Sequence, residues 1–140
     1  MTPQKQQFTH EPERGQYGDC KRAVIASLLD LNIEEVPHFL RDANGEPEKY
    51  WVGLQSFLRS KGLSFLVTRA RSGSAFYGDD EPVYHEISGP SPRSAGRFHS
   101  VVGCDGAIVF DPHPDGTGLA GDPSDWEFGY LVKVCTGEKV

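Results

Sequence analysis

The hydrophobic pattern of the chain changes its period once, near Gly62. Before this glycine, apolar residues recur with helical spacing, in a largely apolar stretch that begins at Cys20 and in an amphipathic segment over 46–61. After it, short runs rich in β-branched and aromatic residues predict strands over 63–68, 83–87, 98–103, 107–110 and 128–134. Helices that precede all the strands favour an α+β fold, with N-terminal helices packed on an antiparallel sheet of about five strands.

Length and charge restrict the class of protein. The 140 residues suit a single domain spanning 1–140, in which the polar residues 1–14 are expected to form a loose arm or an edge strand. A net charge of -6 argues against nucleic acid or an anionic membrane as the main partner. No apolar run approaches the roughly 18 residues that span a bilayer, and the N-terminus lacks the apolar core of a signal peptide. We therefore expect a cytoplasmic protein.

The chain contains three cysteines, Cys20, Cys104 and Cys135. Their number is odd and no two of them have the Cys-x-x-Cys spacing, so neither a disulfide framework nor a structural zinc site is expected. Free thiols are the default, and one of them is available for chemistry. The sequence implies no metal and no other cofactor.

Cys20 stands at a position that activates a thiol. Asp19 is a natural N-cap for the helix that begins there, and Lys21 adds a positive charge beside the cysteine. A thiol at a helix N-terminus experiences the positive end of the helix dipole, which lowers its pKa and favours the nucleophilic thiolate. The alternative is a buried cysteine that packs as a small hydrophobic residue.

His99 and Asp111 lie on either side of Asp105-Gly106, a strong hairpin signal. A two-residue loop would place Asp111 opposite Ser100, with His99 and Asp111 on opposite faces of the sheet. A three-residue loop over 104–106, with Gly106 at positive φ, would place His99 directly opposite Asp111. We predict the three-residue loop, because hydrophobic patterning sets register and this loop collects one apolar layer of Phe98, Val102, Ile108 and Phe110.

Cys20, His99 and Asp111 have the chemistry and chain order of a thiol hydrolase: a nucleophile, a general base and a residue that orients the imidazole. The pattern of Gln16, Asp19-Cys20, His99-Ser100-Val101-Val102 and Asp111-Pro112 resembles the papain-like cysteine peptidase superfamily. It is most similar to the compact bacterial and phage branch, which includes bacteriocin-leader-processing peptidases. The resemblance implies a papain-like fold, an oxyanion-hole role for Gln16 and, for a phage protein, the host cytoplasm. Lys21 replaces the small residue that commonly follows the cysteine in that family.

The sequence therefore predicts a cysteine hydrolase that cleaves a peptide or amide bond of a peptide or protein through an acyl-thioester. A catalytically inactive papain-like domain that binds peptides or proteins is the alternative, and amidase, deamidase and acyl-transfer reactions use the same triad. A calcium loop over 111–122 and a zinc site of Cys20, His99 and His113 are disfavoured by their ligand types and spacing. Residues 88–97, rich in Gly, Pro and Ser, are predicted to form a mobile gate. The oligomeric state stays open.

Overall fold

Three helices precede five strands along the chain. The computed structural model describes residues 1–69, 77–78 and 80–134, so Cys135 lies outside the described residues. The helices are α1 (Cys20–Leu28), α2 (Phe39–Asp42) and α3 (Pro47–Ser60). The strands are β1 (Leu63–Arg69), β2 (Tyr84–Pro90), β3 (Phe98–Cys104), β4 (Ala107–Phe110) and β5 (Glu127–Lys133). The predicted helices and strands are present with small shifts at their ends, whereas α2 was not expected from the sequence.

The described strands form one open sheet in the order β1-β5-β2-β3-β4, and each pairing is antiparallel. The α+β class, with three N-terminal helices packed on a five-stranded antiparallel sheet, is therefore confirmed. The loop predicted over 88–97 is shorter than expected. Pairing between β2 and β3 continues to Pro90, opposite Phe98, so residues 88–90 belong to the strand.

Helix packing follows the apolar pattern of the sequence. α1 packs against β3, and α3 packs against α2 and β1. Glu86 and Ile87 are consecutive in β2 and so point to opposite faces of the sheet. Glu86 contacts Lys21 of α1, and Ile87 belongs to a second core on the other face. The core on the helical side contains Ala23, Ile25, Ala26, Ile33, Val36, Phe39, Leu54, Leu58 and Phe65.

The hairpin between β3 and β4 differs from the predicted one. Its loop has two residues, Asp105 and Gly106, with φ angles of 48° and 85°, and Cys104 pairs with Ala107. Positive φ at Gly106 is confirmed, but the three-residue loop over 104–106 is wrong. The physical reason is that Asp105 itself accepts a left-handed conformation, which a two-residue hairpin turn requires at both positions. The side chain of Asp105 also accepts a hydrogen bond from Val83 N at 2.9 Å.

A β-bulge follows in the same hairpin. Gly103 pairs with Ile108, whereas Val102 pairs with Phe110, so Val109 is an extra residue on β4. The predicted direct pairing of His99 with Asp111 is therefore wrong, because the described ladder ends at Phe110, opposite Val102. In an unbroken two-residue hairpin, Asp111 would lie opposite Ser100, on the face away from His99. The extra residue Val109 shifts Asp111 by one position along β3, so this alignment is avoided.

The N-terminal residues are held by hydrogen bonds rather than by apolar burial. Thr2 N donates to Ser27 O at 3.0 Å, Gln6 N donates to Pro112 O at 3.0 Å, and Phe8 N donates to Asp19 Oδ1 at 2.8 Å. In place of the loose arm expected from composition, residues 1–8 run between the end of α1, the segment after β4 and the start of α1. Two of these three attachment points adjoin predicted site residues.

Candidate active site

His99 and Asp111 form a buried hydrogen-bonded pair. The Nε2 atom of His99 lies 2.7 Å from Oδ1 of Asp111, and the residues are 4% and 8% exposed. Backbone N–H groups of His113 and Gly118 donate to the same carboxylate at 2.9 and 2.7 Å. Burial raises the pKa of Asp111, but the hydrogen bonds from His99, His113 and Gly118 lower it by more. Asp111 is therefore an ionised carboxylate with three donors around it.

The thiol of Cys20, the first residue of α1, lies beside the His99 ring and the backbone N–H of Ser100, and both influence its pKa. Burial raises the pKa of this thiol and is the largest single influence, yet the hydrogen bonds and the charges of His99 and Lys21 together lower it. Burial likewise lowers the pKa of His99, but hydrogen bonds to Asp111 and Cys20 raise it to about 9. These two directions favour a thiolate–imidazolium pair, which titrates as one coupled unit.

Asp111 determines the orientation of the His99 ring. Because Nε2 faces the carboxylate, Nδ1 is the ring nitrogen left for Cys20. The carboxylate keeps a proton on Nε2, so Nδ1 is the position at which a proton is exchanged with the thiol. The structure thus brings together the three residues that the sequence predicted for this chemistry.

Asp19 has a different role from the predicted cap. Its side chain does not cap α1. Oδ1 accepts from Gln7 N and Phe8 N at 3.0 and 2.8 Å, and Oδ2 accepts from Arg22 at 3.2 Å. The first backbone hydrogen bond of the helix is from Ala23 N to Asp19 O at 3.0 Å. The preceding N–H groups of α1, including that of Cys20, therefore stand beside the thiol as donors for a developing negative charge.

The amide of Gln16 is bound away from the thiol. Its Nε2 donates to Thr9 O at 2.8 Å, to Thr9 Oγ1 at 3.2 Å and to Glu11 Oε2 at 3.3 Å. The structure therefore brings Cys20, His99 and Asp111 together but leaves Gln16 in the turn between residues 9 and 16. In this arrangement its side-chain donors serve that turn.

A second glutamine, Gln6, is linked to the start of α1 through the carbonyl of Phe8. Its Nε2 donates to Phe8 O at 2.7 Å, and the same carbonyl accepts from Asp19 N at 3.4 Å. Its Oε1 is buried without a hydrogen-bond partner among the described residues. Sequence reasoning missed Gln6 because it lies in a polar stretch with no periodicity. The unpartnered atom is an acceptor, and the donor of the same side chain is bound to Phe8 O.

A cleft of about 370 Å³ opens beside Cys20. Its walls come from the first turn of α1, from α2 and α3, and from β2 and β3; aromatic side chains of Tyr50, Trp51 and Phe98 contribute. Trp51 is 40% exposed and Phe98 is 74% exposed. Ser88 and Ser100 add polar groups on the sheet side. Apolar walls with a few polar groups are typical of sites that bind organic molecules.

Lys21, which departs from the family pattern, forms a buried ion pair with Glu86. The two side chains are 15% and 3% exposed, and the ammonium group also lies 5.0 Å from the centroid of the Phe65 ring. Lys21 therefore contributes positive charge near the thiol of Cys20, while its own charge is paired with Glu86 of β2.

Tyr50 of α3 also lines this region. Burial, Glu86 and Cys20 together raise the pKa of Tyr50 well above its usual value, so its phenol stays neutral.

Residues that were considered for the disfavoured calcium and zinc sites bind other protein groups instead. Asp115, within the segment considered for calcium, binds Arg93 at 3.0 Å, and Asp122 accepts from Ser124 N at 3.0 Å. His113 Nδ1 accepts from Asp115 N at 3.1 Å. Within 1–69, 77–78 and 80–134, no group of three or more His, Cys, Asp or Glu side chains is arranged to hold a metal ion.

In comparisons with known proteins, no family model, no curated protein and no solved structure matches this chain. Among the described residues, no helix has the length and apolar character needed to cross a membrane.

Proposed function

We propose that this chain is a cysteine hydrolase of papain-like fold that cleaves a peptide or amide bond. The observation that carries the proposal is the grouping of three side chains: His99 hydrogen-bonds to Asp111 and lies beside the thiol of Cys20, and Cys20 lines the cleft. The pKa of each member is shifted in the direction that the reaction needs: lowered for Cys20, raised to about 9 for His99 and lowered for Asp111. A reactive free thiol suits a reducing compartment, so the cytoplasm is the proposed location.

In the acylation step, the Cys20 thiolate attacks the carbonyl carbon of the scissile bond. A carbon–sulfur bond forms and the carbonyl π electrons move to oxygen, where the unpaired N–H of Cys20 at the start of α1 donates to the oxyanion. The tetrahedral intermediate then collapses. The carbon–nitrogen bond breaks, and the leaving amine takes the proton from Nδ1 of His99, which leaves a neutral imidazole and an acyl-thioester.

In the deacylation step, water takes the place of the departed amine. Neutral His99 removes a proton from the water, and the hydroxide attacks the thioester carbonyl. Collapse of this second intermediate releases the carboxylic acid and returns the thiolate–imidazolium pair. Asp111 keeps the ring orientation constant through both steps and stabilises each imidazolium state.

The oxyanion hole requires a second donor besides the Cys20 N–H. The resemblance assigns this role to Gln16, which would have to leave Thr9 and Glu11 to reach the cleft. Gln6 is the alternative; its Nε2 donates to Phe8 O, which also accepts from Asp19 N, and it would likewise have to leave this partner or use its second hydrogen to reach the oxyanion. Gln6→Ala and Gln16→Ala variants separate the two. The donor is the glutamine whose loss lowers kcat by about tenfold to a thousandfold at unchanged KM.

The decisive experiment is the pH dependence of Cys20 alkylation by iodoacetamide, followed residue by residue by peptide mapping. We expect Cys20 to react faster than Cys104 or Cys135 in the folded protein, with a midpoint below the roughly 8.5 of an ordinary cysteine. Cys104 is the internal control, since it is also partly exposed but stands in a hairpin. Slow alkylation of Cys20 throughout the neutral range would refute a thiol hydrolase.

The exposed Trp51 and Phe98 favour one second candidate, a domain that binds peptides without cleaving them. A Cys20→Ala variant tests this candidate against the hydrolase. The binding domain predicts that the wild type binds a peptide library and releases it intact, as the variant does. The hydrolase predicts acyl-enzyme or cleaved product only with the wild type.

A further inference from the structure

A strap of four residues, Lys5–Phe8, connects the backbone around Asp111 with Asp19, the residue that precedes Cys20. At one end, Lys5 Nζ donates to Asp111 O at 3.0 Å and to His113 O at 3.2 Å, and Gln6 N donates to Pro112 O at 3.0 Å. Three successive carbonyl groups, from 111 to 113, are therefore held by two residues of the strap. The Lys5 ammonium also lies 5.0 Å from the centroid of the Phe110 ring, which adds a cation–π contact to the same segment.

The other end of the strap is bound to the residue that precedes the nucleophile. Gln7 N and Phe8 N both donate to Asp19 Oδ1, and Asp19 N donates back to Phe8 O. Asp19 is only 2% exposed, and its second oxygen binds Arg22. The strap thus ends on a rigid, buried anchor at the start of α1.

Sheet pairing alone does not hold the Asp111 segment. The described pairing of β4 ends at Phe110, after the bulge at Val109, so the carboxylate stands on the first residue beyond the strand. Its backbone needs other partners, and the strap supplies them. Because four residues span from these carbonyls to Asp19, the strap limits the separation between the Asp111 backbone and the Cys20 helix.

We propose that Lys5–Phe8 is a positioning element of the active site, in which Lys5 clamps the backbone of Asp111 so that its carboxylate stays aligned with His99. Lys5 touches no reacting atom and acts through Asp111. The inference rests on the proposed function, since it concerns the geometry of the same triad.

The test compares Lys5→Met with Lys5→Arg and with Lys61→Met. Lys5→Met keeps an apolar stem over Phe110 but removes the donor, and Lys5→Arg restores a cationic donor. Lys61→Met is the matched control, because Lys61 also lies over an aromatic ring, that of Phe57 at 5.7 Å, on α3 away from the site. Thermal unfolding is measured for all variants, so that a loss of global stability is seen separately.

We expect Lys5→Met to slow Cys20 alkylation at pH 6 by about threefold to tenfold, the effect of losing one or two hydrogen bonds. The midpoint of the alkylation profile should move to higher pH, and kcat on a cleavable peptide should fall by a similar factor at constant KM. Lys5→Arg should recover most of both losses, and Lys61→Met should resemble the wild type.

The outcomes separate the inference from the proposed function. If wild-type Cys20 shows an ordinary thiol profile, the hydrolase itself is refuted. If the wild-type profile is depressed but Lys5→Met leaves profile and kcat unchanged, the strap is refuted and the triad stands. If Lys5→Met and Lys5→Arg are equally impaired, a clamp through the cationic donor is also refuted.

Discussion

Replacement of Asp111 by Asn tests how the pKa of His99 is raised. The asparagine oxygen can keep its place towards Nε2 of His99 and the N–H of His113, because these are donors at 2.7 and 2.9 Å. Its NH₂ group then faces the N–H of Gly118, which now donates to Oδ2 at 2.7 Å. The substitution therefore removes the negative charge and one good hydrogen bond while it preserves the shape of the site.

The magnitude follows from the pKa of His99. It is raised from 6.5 to about 9, with the hydrogen bond to Asp111 as the first of the raising causes and Cys20 as the next. One pKa unit corresponds to about 1.4 kcal/mol, so the full elevation represents on the order of 3 kcal/mol of stabilisation of the imidazolium. We expect Asp111→Asn to remove about one to two units of it, because the thiolate of Cys20 still faces the ring.

The sign of the pH dependence follows from this raised pKa. Because His99 has a higher pKa in the folded protein than in the unfolded chain, its contribution to stability is complete below about 6.5 and is lost as pH rises through about 9. The active thiolate–imidazolium pair is lost over the same alkaline limb. Its acidic limb is set by the lowered pKa of Cys20, below which the thiol is protonated.

The assay is the pH profile of kcat/KM on a cleavable peptide, with Cys20 alkylation as a substrate-independent check. The alkaline limb should lie near pH 9 in the wild type and about one to two units lower in Asp111→Asn. Asp122→Asn is the control, since Asp122 is an exposed carboxylate that accepts from Ser124 N away from His99. An unchanged alkaline limb in Asp111→Asn would refute the argument that Asp111 sustains the imidazolium.

Two further predictions concern stability. Glu86→Gln should lower the free energy of unfolding in urea by about 3 kcal/mol, because it leaves the buried Lys21 ammonium unpaired. The double variant Lys21→Met, Glu86→Leu should recover most of this loss. A Glu86→Gln variant as stable as the wild type would contradict the argument. Gly129→Ala should destabilise the protein by about 1–3 kcal/mol, because a Cβ there would overlap the Phe65 ring. Gly53→Ala, in open space on α3, should be neutral or stabilising. Thermal melting of both variants measures the difference. Equal melting temperatures for these two glycine variants would show that the sheet yields at Gly129.

The sequence was informative wherever local chemistry decides the outcome. Helix α3 begins at Pro47 and ends before Gly62, whose φ is 76°, as the position of these residues predicts. Helix α1 begins at Cys20, three residues before the buried apolar stretch that starts at Ala23. Such features need only neighbours in sequence, which one chain displays directly.

Contacts between distant segments could not be read in this way. Helix α2 has four residues, too short for a periodic signal, and is capped by the His38 side chain, which accepts from Arg41 N at 3.2 Å. The strap over 5–8 binds distant segments through both backbone and side-chain groups, and its sequence has no periodicity that predicts these partners. The position of Gln16 likewise depends on a local turn that the motif does not describe.

The His99–Asp111 pair was anticipated through a hairpin that is wrong in detail, and the reason is physical. The predicted loop placed one extra residue in the turn, whereas the structure has a two-residue turn and places one extra residue, Val109, in the strand. Side chains alternate between the two faces with a period of two, so either insertion puts Asp111 on the face of His99, and only an uninterrupted hairpin would separate them. The requirement that the two residues share a face constrains the number of inserted residues but not their location. Pairing resumes after the bulge but ends at Phe110, so the backbone of the Asp111 segment finds its partners in the N-terminal strap instead of in β3.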